Sequence, residues 1–427
     1  MDTQTIDHVI SHVNEDLVRD AVRGALAIPS ISGEEEQVAR YFAQLMQQVG
    51  LQTELQPVPA TDTMAASFNT IGRLSGTGGG SSLLINGHMD HNPVSDGWTK
   101  NPFGAELDAD GWLYGFVHMK AADACYLAAV DAVRRSGISL TGDLSVALVC
   151  GELRGGVGTQ HALAQGLTAD YFLLGEPTEL QLANTHSSSR VVYIHVLGRT
   201  KHFATNDTPD RRGVNAVEQA SRVIAALRPS HTPLKSVGDG GFLNFSPVPG
   251  FEGLPQLNIG PIEGGISRSY NKTRPALFPD VCTLTVDFRL IPGMTRAGLE
   301  SDLRRLLDGL RDEEPEFRYE IEFARDTFPV PFNAPRDSRI ARSVAKVHGA
   351  VHGSPATWSD ILRFAASDAA WMDKAGITGI VYGPTGRYLS RPDERCAFVD
   401  LVRATQVFAG VIADICTTDR PTQGVLP

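Results

Sequence analysis

The chain has 427 residues, enough for two or three domains with a real core, and its 42% hydrophobic and 20% charged content is ordinary for a globular enzyme. The net charge is −11 and no Lys/Arg run stands out, which argues against a surface for nucleic acid or an anionic membrane. Cys125, Cys150, Cys282, Cys396 and Cys416 form no CxxC pair and read as free thiols of a reducing compartment.

The N-terminal segment MDTQTIDHVISHVNEDLVRD carries acids where a signal peptide has an apolar run, and reads as an amphipathic helix. No apolar stretch is long enough to span a bilayer, so a cytoplasmic location is expected. Residues 14–28 and 34–50 are predicted helices, separated by a Pro29–Gly33 break where Ser32 and Glu35 resemble a capping box. GTGGGSS (76–82) is flexible in composition, and SSLLINGHMD (81–90) is a short apolar strand. The Ala-rich stretch 119–136 fits a helix. DLSVALVCGE (143–152) and ADYFLLGEPT (169–178) repeat one pattern, an apolar run followed by Gly and a carboxylate.

Strands alternating with helices imply an α/β sheet, and ligands of such sheets sit beyond the strand ends. His88, Glu152 and Glu176 each fall at a predicted strand end and can converge. The middle of the chain reads differently: a strand at 190–199, a helix at 215–228, strands near 256–262 and 281–289, a helix at 296–310 and a strand at 318–326. This β-α-β-β-α-β order is the split ferredoxin-like layout. It places an inserted α+β domain at 185–329, with 1–184 and 330–427 forming the α/β domain. The Pro-rich PVPFNAPRD (329–337) marks the return.

GHMDHNP (87–93) sets a His and an acid two apart, projecting to one side of an extended strand end. His88 can bind a metal while Asp90 holds its other ring nitrogen. Alone, such a pair is more often ordinary polar surface. Its company raises it: DGWTKNPFGAELDADGWLYG, then HMK at 118–120, GE at 151–152 and GEPT at 175–178.

That series, in that order, resembles the metallopeptidase family of acetylornithine deacetylase, succinyl-diaminopimelate desuccinylase, aminoacylase and carboxypeptidase G. The resemblance runs nearly end to end, through GRTKHFAT (198–205), RRGVNA (211–216), LNIGPIEGG (257–265), VDFRLIP (286–292), SDAAW (367–371) and YGPTG (382–386). It implies a zinc-peptidase-like catalytic α/β domain, an inserted ferredoxin-like lid that often dimerises, and a metal-activated water. A homodimer through the lid or a larger homo-oligomer is therefore expected.

The departures narrow the expectation. The family usually holds two metals through a strand-end His, a bridging Asp, two further acids and a C-terminal His. Here the strand-end His is His88 and one later acid is Glu176, but the bridging Asp falls on His118. The second acid of a Glu-Glu pair falls on Leu153, and the C-terminal His on Ser390. Leu153 cannot ligate, Ser390 is a poor ligand, and a neutral imidazole nitrogen has one lone pair where a carboxylate can bridge. One metal on His88, His118 and Glu176 follows, with Mn or Zn, or else Co or Fe, compatible with two His and a carboxylate. If the register at 115–120 is shifted, Asp123 is the ligand instead.

By the same resemblance Glu152 matches the general base, and a merely structural strand-end acid is the alternative. His202 matches a histidine that steadies charge on the substrate. Asn258 and Arg289 match substrate-binding residues, though a structural ion pair competes for Arg289. His186 and Arg190 are candidate substrate contacts or plain surface groups, and His91 is ambiguous. The expected reaction is release of ammonia from an electron-poor aromatic amino acid of the 5-nitroanthranilate type. The alternatives are a single-metal deacylase of N-acyl amino acids or peptides, and a non-catalytic binding relative.

Overall fold

The computed structural model describes residues 1–205, 212–227, 236, 241–248, 251, 254–267, 276–325, 327–363 and 365–419. Arg211 of the RRGVNA motif, Arg228 at the end of the expected lid helix, His231 and Asp326 lie outside them. The chain divides into two compact units. One is Met1–Thr185 with Phe332–Leu362 and Ser367–Pro427, and the other is His186–Pro331 with Arg363–Ala366.

The first unit begins with helices α1 (Thr3–Ile10), α2 (Glu15–Leu26) and α3 (Glu36–Gln48). Asn14 starts α2 by accepting the amides of Asp16 and Leu17. Strands β1 (Gln52–Val58), β2 (Ser67–Leu74) and β3 (Leu83–His88) follow, then α4 (Lys120–Arg135), β4 (Leu144–Val149), α5 (Val157–Ala164) and β5 (Tyr171–Leu174). The second unit carries β6 (Ser188–Leu197), α6 (Ala216–Leu227), β7 (Gln256–Gly265), β8 (Val281–Leu290), α7 (Arg296–Glu313) and β9 (Arg318–Phe323). The chain returns to the first unit with α8 (Arg339–His352), α9 (Ala369–Lys374), β10 (Thr378–Val381) and α10 (Phe398–Cys416).

In the first unit the described strands form a sheet in the order β1-β2-β4-β3-β5-β10. β4, β3, β5 and β10 run parallel, while β2 is antiparallel to both β1 and β4. Every residue of β3 is buried, as its continuous apolar run requires of a strand covered on both faces. The alanines of α4 let it pack closely against α2 and α10. Gly87 serves the same end, because a Cβ there would stand 1.8 Å from Asp123 Oδ1.

In the second unit the order is β9-β6-β8-β7, antiparallel throughout, as a ferredoxin-like layout demands. Period-two alternation along β6 turns Val192, Ile194 and Val196 into a core shared with Ala220 and Val223 of α6 and Leu303 and Leu307 of α7. All five cysteines are buried and unbridged. Among the described residues no helix is long and apolar enough to cross a membrane.

The capping-box expectation at 32–35 is overturned. Glu35 is the N-cap of α3 but makes no side-chain cap. The Ser32 hydroxyl donates to Asp90 at 2.6 Å instead, and the Glu35 carboxylate turns into the core.

Candidate metal centre

Two of the three expected ligands stand at or just beyond the C-terminal ends of parallel strands, where the sheet leaves backbone free to turn. His88 is the last residue of β3, and Glu176 follows β5 by two residues. His118 enters from the loop preceding α4. Each offers one ligand atom, and the three atoms lie within 4.8 Å of one another. His88 Nε2 is 3.8 Å from Glu176 Oε1, His118 Nε2 is 2.5 Å from Glu176 Oε2, and the two rings meet edge-on with centroids 4.9 Å apart.

The tautomer of His88 follows from its other nitrogen. Nδ1 lies 3.0 Å from the Asp90 carbonyl oxygen and 3.4 Å from Asp90 Oδ1, so it carries the proton. The lone pair then belongs to Nε2, which is buried with no hydrogen-bond partner. A buried acceptor beside a second imidazole and a carboxylate fits a divalent transition metal. Burial opposes a charge on His88, but the Asp90 hydrogen bond and the carboxylates of Glu152 and Glu176 outweigh it and lift its pKa well above the usual range, so a cation at Nε2 competes with a second proton there.

Asp90 is fully buried and also organises the turn that carries Glu152. Its Oδ1 accepts the Glu152 amide at 3.0 Å, and its Oδ2 accepts the Leu153 amide at 3.1 Å. Burial works against its charge, while the hydrogen bonds from His88, Ser32 and Leu153 keep its pKa below the ordinary value. Glu152 is 5% exposed. Burial, reinforced by the carboxylates of Glu176, Asp368 and Asp90 against the His88 charge, pushes its pKa well up.

A small cavity adjoins the ligands, walled by His118, Leu153, Ser390, Asn92 and Phe116. Asn92 Nδ2 donates to Ser390 Oγ at 2.9 Å. His91 stacks on Phe116 with centroids 4.1 Å apart and 9° between planes. Its ambiguity is resolved: Nε2 accepts the Ser30 amide at 2.9 Å and Nδ1 donates to the Asn92 carbonyl at 2.7 Å. Burial, then the Lys120 charge, lowers its pKa to about 4, so it is a neutral, structural ring. Asp123 packs behind Gly87, on the strand face opposite His88, and is not among the grouped ligand atoms.

The lid candidates all lie on the second unit. His202 is exposed and stacks on Phe203, accepting the Ala204 amide at Nδ1. Asn258 is exposed on β7, opposite Asp287 of β8. Arg289 is bound by Asp287, two residues earlier on the same face of β8, through Nε at 3.0 Å and a terminal nitrogen at 2.7 Å. The ion pair weighed for Arg289 therefore exists. Arg190 donates to the Pro329 carbonyl at 2.9 Å, and His186 is buried with Nδ1 2.8 Å from the Ser187 carbonyl.

Sequence reasoning missed three groups around the site. Asp368 and Trp371 belong to SDAAW, a motif noted without a role. Trp371 Nε1 donates to the Gly155 carbonyl at 2.8 Å, and burial, above all, raises the Asp368 carboxyl to about 7. Glu394, 1% exposed, accepts the His118 amide on one oxygen and the Ser390 amide on the other, both at 2.8 Å. No local pattern around Glu394 announces these partners.

A model of peptidase family M20/M25/M40 matches residues 84–414. Acetylornithine deacetylase of Salmonella typhi is 29% identical over 388 residues, covering 87% of this chain and 91% of that protein. Among solved structures, the dipeptidase Dug1p of Saccharomyces cerevisiae superposes with a TM-score of 0.74 at 15% identity, over 96% of this chain and 98% of that one. The Bacillus subtilis YXEP protein, a dinuclear metal-binding peptidase, superposes with a TM-score of 0.62 at 15% identity, over 95% and 99%. These two likenesses speak for the fold. The family match covers well over half of the chain, which belongs to peptidase family M20/M25/M40 and is a metal-dependent hydrolase of C–N bonds.

Proposed function

From membership of this family we propose that the chain holds one divalent transition metal on His88, His118 and Glu176. It hydrolyses a C–N bond in a small carboxylate-bearing substrate, with Glu152 as general base. One observation carries this reading: the buried, unpartnered Nε2 of His88 beside His118 and Glu176, with Leu153 and Ser390 walling the adjoining cavity. The single lone pair of His118 serves one cation. The dinuclear Bacillus subtilis relative is the contrasting case. Zn or Mn suits the donor set, with Co and Fe sharing its preferences. When bound, the cation lowers the proton affinity of a water and polarises the electrophilic carbon.

The chain's own residues do the rest. Glu152 removes the proton as the water oxygen bonds to carbon, then delivers it to the nitrogen as the C–N bond breaks. Asp90 fixes the Glu152 turn and shares the His88 proton. His202, Asn258, Arg289, His186 and Arg190 are carried as candidate substrate-binding residues of the second unit. A homodimer through the second unit, or a larger homo-oligomer, belongs to the proposal. The edge strand β7 is exposed along most of its length, with Ile262 48% exposed. Five buried thiols support a reducing, cytoplasmic setting.

The bond favoured is an amide. The Salmonella typhi relative is a deacetylase, one fold neighbour is a dipeptidase, and hydrolysis of an N-acyl amino acid or small peptide fits them best. A second reading, release of ammonia from an electron-poor aromatic amino acid of the 5-nitroanthranilate type, uses the same metal set and the same general base. Metal-loaded enzyme is offered N-acyl amino acids, dipeptides and 5-nitroanthranilate, with carboxylic acid or amino acid release assayed against ammonia. Amide turnover is expected. Ammonia from the anthranilate with no amide turnover replaces the first reading by the second.

A further inference from the structure

We propose that Glu35 is a positioning residue for Glu152: its carboxylate clamps the first amide of the turn that aims the base. The inference rests on Glu152 being the general base. Glu35 is fully buried and lies 116 residues away from the amide it accepts. Its Oε1 accepts the Gly151 amide at 3.0 Å, while Oε2 accepts the Ser67 hydroxyl at 2.5 Å and the Gly33 amide at 2.8 Å. Three donors on one buried carboxylate form a rigid anchor.

The turn needs such an anchor. Gly151, Gly155 and Gly156 all sit in the left-handed region, with φ of 64°, 83° and 75°. The left-handed φ of Gly151 strains any other residue there, and glycine leaves the backbone loose. Three successive amides are then tied down by two buried carboxylates. Glu35 holds Gly151, and Asp90 holds Glu152 and Leu153. Remove Glu35 and the Gly151 amide loses its acceptor, leaving the Asp90 bonds and the turn's own backbone bonds to the Gly151 and Glu152 carbonyls. Asp90 is spoken for by His88 as well, whereas Glu35 makes no contact with a metal ligand among its hydrogen bonds. Its loss therefore strikes the base and spares the metal.

The test uses Glu35→Ala, Glu35→Gln and Ser67→Ala in the metal-loaded full chain. Hydrogen exchange is followed on peptides spanning 150–154, alongside kcat, KM and metal affinity by chelator competition. Glu35→Ala is expected to speed exchange at 151–153 and to lower kcat by about 10²-fold, the cost of a base misplaced by roughly 1 Å. KM and metal affinity stay within about twofold. Glu35→Gln keeps an acceptor for the Gly151 amide and restores most of kcat. Ser67→Ala, the mildest change, gives a smaller loss in the same direction and serves if Glu35→Ala does not fold. Unchanged exchange at 151–153 overturns the proposal, and so does a loss of metal affinity matching the loss of kcat. Glu152→Gln is run beside them. If it keeps full kcat, the general-base reading fails, and with it the claim that Glu35 positions a base, even where exchange shows the clamp.

Discussion

Asp90→Asn separates two jobs that a single carboxylate performs. The substitution is nearly isosteric, so packing is preserved and only acceptors change. Asp90 takes the amides of Glu152 and Leu153 on different oxygens, at 3.0 and 3.1 Å, and the Ser32 hydroxyl at 2.6 Å. A side-chain amide has one oxygen. Whichever way the substituted side chain is turned, its NH2 faces one of the two backbone donors, while Ser32 can rotate to accept. One buried N–H is orphaned, at about 1–3 kcal/mol, and a charge-assisted bond worth about 1.5–3 kcal/mol is weakened. Together these cost about 3–5 kcal/mol of a total that is typically about 5–15 kcal/mol. The metal is affected less. The His88 proton has the Asp90 carbonyl oxygen at 3.0 Å as its nearer partner, against 3.4 Å for the carboxylate, and the substitution leaves that carbonyl in place. Metal affinity is expected to fall no more than about 10-fold, the low end for loss of an outer partner of a ligating histidine. The kcat of metal-saturated enzyme falls about 10²-fold as the Glu152 turn shifts. Chelator competition, steady-state kinetics at saturating metal and urea unfolding measure the three quantities. Metal affinity lost by more than about 100-fold, with kcat intact at saturation, refutes the reasoning.

Other outcomes follow from the same geometry. Glu152→Gln should retain metal by elemental analysis yet lose about 10²–10⁴ in kcat, the span of general-base contributions. Wild-type protein should bind one transition-metal ion per chain, and a stoichiometry near two ends the single-metal reading. Gly383→Ala would bring a Cβ to 2.2 Å from the Gly175 carbonyl and 2.3 Å from that of Glu176, so the backbone behind Glu176 must shift. About 1–3 kcal/mol of stability and a measurable part of the metal affinity go with it. Burial, then the stacked His352, lowers the pKa of His348 to about 4, with its Nδ1 2.9 Å from the Tyr382 hydroxyl. The unfolded chain takes up that proton near an ordinary pKa of about 6.5 and the folded one does not, so stability is full above that pH and falls as pH drops towards 4. By pH 5 the loss is roughly 1–2 kcal/mol, from about 1.36 kcal/mol per pH unit below the unfolded pKa, reduced by solvent screening. His348→Gln should lack that portion of the slope when urea melts at pH 7 and pH 5 are compared.

Local punctuation made the parallel core and the strand-end candidates legible. An apolar run followed by Gly and a polar residue marks the point where buried strand becomes exposed turn, and His88, Glu152 and Glu176 all lie at or near such points. β1 and β2 were not anticipated. β1 is polar along much of its length because it lies at the sheet edge and needs only one buried face. Arg289 stayed open because VDFRL shows an acid two residues away on the same strand face but not whether the pair is engaged; Asp287 does engage it.

The buried glutamates were illegible for a deeper reason. Ser32-x-x-Glu35 satisfies the capping-box spacing as it stands, and spacing carries no information about an amide at Gly151. Glu394 likewise reaches His118 across 276 residues. An acid that accepts backbone amides imposes no side-chain type on its partner, so the partner segment bears no mark of it. Metal ligands are visible because the cation selects their chemistry. The carboxylates that aim those ligands select only position, and position is what folding supplies. At this site the expected ligand His118 is held by a Glu whose role was hidden, so the candidate could be read while the scaffold that places it could not. Glu394 holds the backbone amide of His118, so its grip is indifferent to the side chain that the loop presents there.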